Sequence, residues 1–252
     1  MDSTLLLKAC VDILSKENVI AFIASSPIYP EREIKKAERI ASLLGAEHIV
    51  VKTSEHEGER FIENSVERCY ACKSQLLEMA EKLVAERGFL HIVEGSNLDD
   101  LQDFRPGIKA IEEKGVKTPL IISCLRKADI REISEFLWLP TSKKPSSACL
   151  ASRIPYGTRI ERKILKMIEK AEGFLRELGL SQLRVRYHGE VARIEVLEDQ
   201  VDLLLKHRKI VVERLRTVGF LYVTFDLAGY RSGSLNEAIF RASSLASRRR
   251  EK

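Results

Sequence analysis

Three cysteines and one short acidic, hydroxyl-rich segment hold the side chains in this chain that could do chemistry. Cys69-Tyr70-Ala71-Cys72 sets two thiols at the start of a helical stretch, where the dipole and free N–H groups favour the thiolate. Cys149 lies far downstream in Ala148-Cys149-Leu150-Ala151-Ser152-Arg153-Ile154-Pro155-Tyr156-Gly157. Three thiolates can serve one metal site. Asp2-Ser3-Thr4, followed by the apolar-rich stretch 5–14, reads as a helix N-terminus with an acid and a hydroxyl pair, either an ordinary capped helix or a seat for an anion. Thiolates beside a nucleotide seat imply sulfur chemistry driven by ATP. The rival readings of the cysteines are a zinc site completed by His91 or His188, a Cys69/Cys72 redox pair, or thiols without function. Cys10 and Cys124, in apolar contexts, read as small core residues.

The elements that must position these groups follow from size and pattern. A chain of 252 residues, 44% hydrophobic, can bury a full core and fits one large or two modest domains, of which two is the expectation. There is no apolar run long enough to span a bilayer and no secretory leader pattern, which predicts a soluble cytoplasmic protein. Five unevenly spaced cysteines do not form a secreted disulfide framework, so reduced thiols are expected. The net charge of +5 permits an anionic ligand, yet much of the excess sits in Arg248-Arg249-Arg250. A basic tail is ordinarily solvated, so the charge is weak evidence for nucleic acid.

Up to about residue 150, apolar strand-like runs at 19–24, 48–51 and 90–94 alternate with helical stretches at 31–44 and 73–87, which end at Gly45 and Gly88. This is the pattern of an α/β domain, a parallel sheet with helices on both faces, whose ligand binds beyond the carboxyl ends of the strands. Ser25-Ser26, Thr53-Ser54 and Gly95-Ser96-Asn97 fall there. Beyond Gly157 the order becomes helix 162–178, strand 183–187, a turn at His188-Gly189-Glu190, strand 191–197, helix 200–218 and strand 221–226, a smaller α+β domain. The expected division is 1–150, 157–238 and a disordered basic tail at 239–252.

No strand precedes the first helix, unlike the other helices of this half. Met1-Asp2-Ser3-Thr4 resembles the end of the Ser-Gly-Gly-x-Asp-Ser loop of the PP-loop ATP pyrophosphatases, a HUP-like fold. On that resemblance the first strand and most of the phosphate loop are missing, through a start assigned at an internal methionine or a truncated copy. More specific stretches are Gly95-Ser96-Asn97-Leu98-Asp99-Asp100, Arg105-Pro106-Gly107, the Cys149 segment quoted above, and Asp226-Leu227-Ala228-Gly229-Tyr230-Arg231-Ser232-Gly233. These resemble the LarE family of ATP-dependent sulfur transferases over residues 1 to about 238.

The resemblance implies that ATP adenylates a carboxylate of a pyridinium biscarboxylate mononucleotide, that pyrophosphate leaves, and that sulfur attack gives a thiocarboxylate for a nickel-pincer cofactor. Asp2 would hold Mg²⁺ on the phosphates, and Ser3 would donate to them. Ser25, Asn97, Asp99 and Asp100 would border the nucleotide. Some members give up the sulfur of one cysteine and are spent. Others carry three cysteines and a [4Fe-4S] cluster with an open iron, and Cys69, Cys72 and Cys149 match that type, with Cys149 the residue at the catalytic step. Alternation puts Arg184 and Arg186 on one face of their strand, and Arg193 and Glu195 on one face of the next, a pattern that fits a solvated face as well as a converging charged seat. In the family frame Arg184, Arg186, Arg231 and Ser232 are the substrate-binding set, and Glu172 and Glu195 are metal-contacting carboxylates.

Two departures bear on this. Cys149 falls one residue off the register of the single-cysteine members, which favours the cluster, and Glu198, Asp199 and Asp202 compete for a further acidic place. The alternatives are a PP-loop tRNA thiolation enzyme and a truncated metal-binding paralogue without ATP. A homo-oligomer is expected from the relatives.

Overall fold

A computed structural model describes residues 1–54, 58–145, 147–237 and 239. The chain divides into two compact units, Met1–Ser147 and Ala148–Lys252, so Cys149 falls in the second. All of the expected basic tail except Ile239 lies outside the described residues.

The first unit begins with α1 (Asp2–Leu14), β1 (Ile20–Ser25), α2 (Glu31–Leu43) and β2 (Glu47–Lys52). β1 and β2 pair in parallel, Ile20 opposite Glu47 through Ser25 opposite Lys52, as two strands linked by a crossover helix should. The short α3 (Glu59–Ile62) leads to α4 (Arg68–Arg87), followed by α5 (Gly107–Glu113), α6 (Pro119–Ile122) and α7 (Lys127–Phe136). Helix α4 stops at Gly88, whose φ of 72° is the left-handed cap conformation that a Cβ would strain. Leu5 of α1 packs with Leu120, Ile130 and Leu139, fixing the start of α1 against α7. A second cluster joins Leu77 of α4 to Ala110, Ile111 and Val116.

The strand expected at 90–94 reduces to one parallel bridge, Val93 with Lys117. Lys117 donates to the Ile92 carbonyl and accepts from the Glu94 N–H at 2.9 Å each, and the pairing goes no further. Leu90 and Val93 are exposed, so the apolar run is not drawn into a buried ladder. Every residue of β1 is half-buried rather than buried, although its sequence is almost wholly apolar. Cys124, expected in the core, is exposed with φ 55°, in the turn after α6.

The second unit packs α8 (Arg162–Glu177), α9 (Val201–Lys206) and α10 (Arg208–Val218) with a sheet in the order β3-β4-β5. β3 (Leu183–His188) and β4 (Val191–Val196) form an antiparallel hairpin through the turn at Gly189, and β5 (Tyr222–Phe225) joins β4 in parallel. The helix expected over 200–218 is interrupted at His207. Leu183, Val185, Ile194 and Val196 meet Leu175, Val211 and Leu215 in one buried cluster. Arg184 and Arg186, out of phase with Leu183 and Val185, fall on the opposite face of β3 and are buried as well.

Candidate functional site

In the first unit, three chain segments converge on Asp2. The loop after residue 94 lies against the start of α1: a Cβ on Gly95 would stand 3.0 Å from the Ser3 nitrogen and 3.2 Å from its Cα, so only glycine fits there without displacement. From α7, the Lys127 ammonium lies 2.6 Å from the Asp2 carboxylate. The Lys127 N–H donates to Asp99 at 2.8 Å, and the Arg126 guanidinium meets the other Asp99 oxygen at 3.0 Å. Asp2 and Asp99 are thereby tied to one lysine.

The same loop is held internally by polar bonds. Asn97, buried, accepts from the Asp99 N–H and donates its own N–H to Asp100, each at 3.0 Å, a reciprocal cap on the helical turn at 98–102. Asp100 meets Arg105 at 2.8 Å. Glu94 accepts from the Ser96 N–H and hydroxyl and pairs with Lys73 of α4 at 3.2 Å. Burial would raise the Glu94 pKa, but Lys73 and Ser96 together hold it below the ordinary carboxylate range. Ser25 ends β1, its carbonyl accepting from the Thr53 N–H at 3.0 Å, and Ser3 is exposed at the first turn of α1. At the start of a thirteen-residue helix a carboxylate oxygen suits Mg²⁺, and a hydroxyl with the free N–H groups suits phosphate.

Cys69 and Cys72 occupy the first turn of α4, three residues apart, Cys69 exposed and Cys72 half-buried. Cys149, half-buried, belongs to the second unit. Among the described residues no group of three His, Cys, Asp or Glu side chains is gathered to hold a metal ion. His91 is exposed; His188, at the end of β3, has its pKa lowered by burial and then by Arg193 and Arg186.

In the second unit Arg153, Arg176, Arg184, Arg186 and Arg193 face Glu172, Glu195 and Asp226. Glu172, 1% exposed, takes the Arg153 fork at 2.8 and 3.1 Å, Arg176 at 3.2 Å and the Val185 N–H at 3.2 Å. Glu195, equally buried, takes the Arg186 fork at 3.0 and 2.8 Å and Arg193 at 3.0 Å. Burial alone would raise the Glu172 pKa, but Arg153, Arg176 and Arg184 bring it below the ordinary value. The Arg184 guanidinium stacks over Tyr230 at 5.1 Å, and burial followed by repulsion from Arg153 pushes its pKa down to about 10. Arg231 is exposed and meets Glu237 at 2.6 Å; Ser232 beside it is exposed too. Both oxygens of each glutamate thus already meet guanidinium, and a divalent cation at either would compete with an arginine. A cluster with more arginines than carboxylates suits an anion better than a cation.

No family model matches the chain. Over 241 residues it is 39% identical to the uncharacterized protein slr1717 of Synechocystis sp., covering 95% of this chain and 90% of the other. Uncharacterized protein MJ0830 of Methanocaldococcus jannaschii is 33% identical over 174 residues, 69% of this chain and 68% of the other. The pyridinium-3,5-bisthiocarboxylic acid mononucleotide synthase of Lactiplantibacillus plantarum is 34% identical over 243 residues, covering 96% of this chain and 88% of the other. The chain belongs to the LarE family of sulfur transferases. Membership of the LarE family spans both units, and with them the acidic loop at Asp2 and the buried arginines on β3. Sequence reasoning missed Lys73, Arg126, Lys127 and Arg153. None stands in a periodic pattern, and Arg153 could be read only as part of the Cys149 segment.

Proposed function

We propose that this chain is an ATP-dependent sulfur transferase that turns a carboxylate of pyridinium-3,5-biscarboxylic acid mononucleotide into a thiocarboxylate, a step towards a nickel-pincer cofactor. The observation that carries the reading is the match, across nearly the whole chain, to a synthase named for the bisthiocarboxylic product. ATP would transfer AMP to the carboxylate and release pyrophosphate; attack of a sulfur nucleophile on the acyl carbon would then expel AMP. Asp2 and Ser3 would meet Mg²⁺ and the phosphates, with Lys127 ceding Asp2 to the metal, and Ser25, Asn97, Asp99 and Asp100 would border the nucleotide. Half-burial along β1 supports a further strand against its open edge, leading into a phosphate loop that ends at Met1-Asp2-Ser3-Thr4, the PP-loop arrangement.

Arg184, Arg186, Arg231 and Ser232 would seat the anionic groups of the mononucleotide; the surplus of guanidinium over carboxylate supports this. A [4Fe-4S] cluster on Cys69, Cys72 and Cys149 would supply sulfide. The donor chemistry fits, since Cys69 and Cys72 lie three residues apart on one helical turn. With reduced thiols the protein would work in the cytoplasm. No described helix is long and apolar enough to cross a membrane. A homo-oligomer is proposed on the family resemblance.

The reading is tested by pyrophosphate release with Mg²⁺, ATP and the biscarboxylic mononucleotide, from this chain and from one extended by its upstream reading frame. Release that depends on the mononucleotide supports it, and release by neither protein sinks it. Thiouridine loss from tRNA in a deletion strain would point instead to a tRNA thiolation enzyme.

A further inference from the structure

The two buried arginine–glutamate pairs of the second unit reach, through their arginines, the backbone around Cys149. One Arg153 nitrogen, Nη1, lies 2.8 Å from the Ala148 carbonyl, 2.8 Å from the Cys149 carbonyl and 2.9 Å from the Ser152 hydroxyl. That hydroxyl itself donates to the Cys149 carbonyl at 2.8 Å. From the other side, Nη1 of Arg186 donates to the Ser152 carbonyl at 2.7 Å, and its Nη2 reaches the Ser234 hydroxyl at 2.8 Å. The remaining nitrogens of each guanidinium grip a glutamate, Glu172 behind Arg153 and Glu195 behind Arg186.

A short 3-10 turn at Leu150–Arg153 has few bonds of its own, and its carbonyls would otherwise turn to water. Here Arg153 is 1% exposed and Arg186 6%, so each delivers its charge-assisted bonds in a site of low dielectric. A lysine has no planar fork with which to hold a carboxylate and a carbonyl at once. The metal role expected for Glu172 and Glu195 does not fit carboxylates whose oxygens are already taken by arginines.

We infer that Arg153–Glu172 and Arg186–Glu195 form a two-sided clamp that fixes the loop carrying Cys149, with Arg153, Glu172 and Glu195 as positioning residues and Arg186 holding the loop besides its proposed part in the anion seat. The significance for catalysis rests on the proposed role of Cys149; the clamp does not. Each glutamate orients an arginine; Arg153 pins the Ala148 and Cys149 carbonyls and Arg186 the Ser152 carbonyl at the other end of the turn, so the thiol is presented from a rigid backbone. Sequence adjacency conceals this, because the residues lie on the loop, α8, β3 and β4.

The test is hydrogen exchange of the backbone across 150–154 in the full chain, together with the alkylation rate of Cys149 mapped by mass spectrometry at a temperature well below melting. In the wild-type protein the amides of Ser152 and Ile154, which bond to the Cys149 and Ala151 carbonyls, should exchange about tenfold or more slower than an exposed turn. Glu195→Gln should speed both exchange and Cys149 alkylation about tenfold, and Arg186→Lys should do the same. A role in general stability alone would lower the melting temperature and leave alkylation of the folded protein unchanged, which would overturn the inference. Fast exchange across 150–154 in the wild type would overturn it without any variant. A metal role predicts instead that Mn²⁺ raises the melting temperature of the wild type and not of Glu195→Gln, with exchange unmoved, and that result also contradicts the clamp. Cys149→Ala tests the sulfur-transfer reading separately: retained thiocarboxylate formation would end that reading while leaving the clamp intact.

Discussion

The Lys127 ammonium rests 2.6 Å from the carboxylate of Asp2, 125 positions earlier in the chain. The pair joins the first turn of α1 to the first turn of α7, and the backbone N–H of the same lysine holds Asp99. If Asp2 holds Mg²⁺ as proposed, Lys127 already occupies that place.

Partial exposure limits what this pair gives to stability. Lys127 is 35% exposed and Asp2 22%, so Lys127→Ala should cost less than about 1 kcal/mol of unfolding free energy. Asp2→Ala should be equally mild in a chemical melt and should abolish ATP-dependent pyrophosphate release. Parallel melts and release assays on the two variants check the contrast; a fully active Asp2→Ala would remove Asp2 from the nucleotide site.

Leu175 of α8 is fully buried in the core of the second unit. Replacing it with alanine should cost about 2–5 kcal/mol, the range for a large side chain lost from a packed interior. Urea unfolding followed by exchange of the β3 and β4 amides would measure it, and a loss below about 1 kcal/mol would mean that the site relaxes or is not packed as described.

Acid should weaken the second unit through Glu172. Its folded pKa lies below the unfolded value of 4.5 because Arg153, Arg176 and Arg184 outweigh the opposing effect of burial. The unfolded chain therefore binds the proton more readily, and the stabilisation present above pH 4.5 is lost as the pH falls through the lower folded value. Melting temperatures taken from pH 7 downward should drop more steeply in the wild type than in Glu172→Gln. Parallel slopes would contradict the assignment.

Iron, acid-labile sulfide and zinc after anaerobic purification separate the readings of the cysteines. A three-cysteine [4Fe-4S] cluster predicts about four irons and four sulfides per chain, lost in Cys69→Ala, Cys72→Ala and Cys149→Ala and kept in Cys10→Ser and Cys124→Ser. Zinc, or no metal with Cys149 free, would return Cys149 to a sacrificial or structural role.

Much of this arrangement was legible in local pattern. The apolar runs at 19–24 and 48–51 and the glycine after α4 are period and cap signals, and β1, β2 and the Gly88 stop follow them. The segment at 90–94 carries the same apolar signal but finds only Lys117 to pair with, and pairing is a tertiary matter. Helix 200–218 has continuous periodicity, yet it is interrupted at His207. Alternation placed Arg184 and Arg186 on one face. That Arg186 reaches Ser152 depends on a loop more than thirty residues upstream, a separation at which single-sequence patterns carry no information. Cys124 looked like core because its neighbours are apolar; the left-handed turn after α6 turns it outward.

Incubating the protein anaerobically with Mg²⁺, ATP and pyridinium-3,5-biscarboxylic acid mononucleotide, then weighing the product by mass spectrometry, tests sulfur transfer most directly. The account predicts replacement of a carboxylate oxygen by sulfur, dependent on ATP and absent from Cys149→Ala. An adenylated or unchanged mononucleotide, with a protein that binds ATP and retains its cysteines, would contradict it.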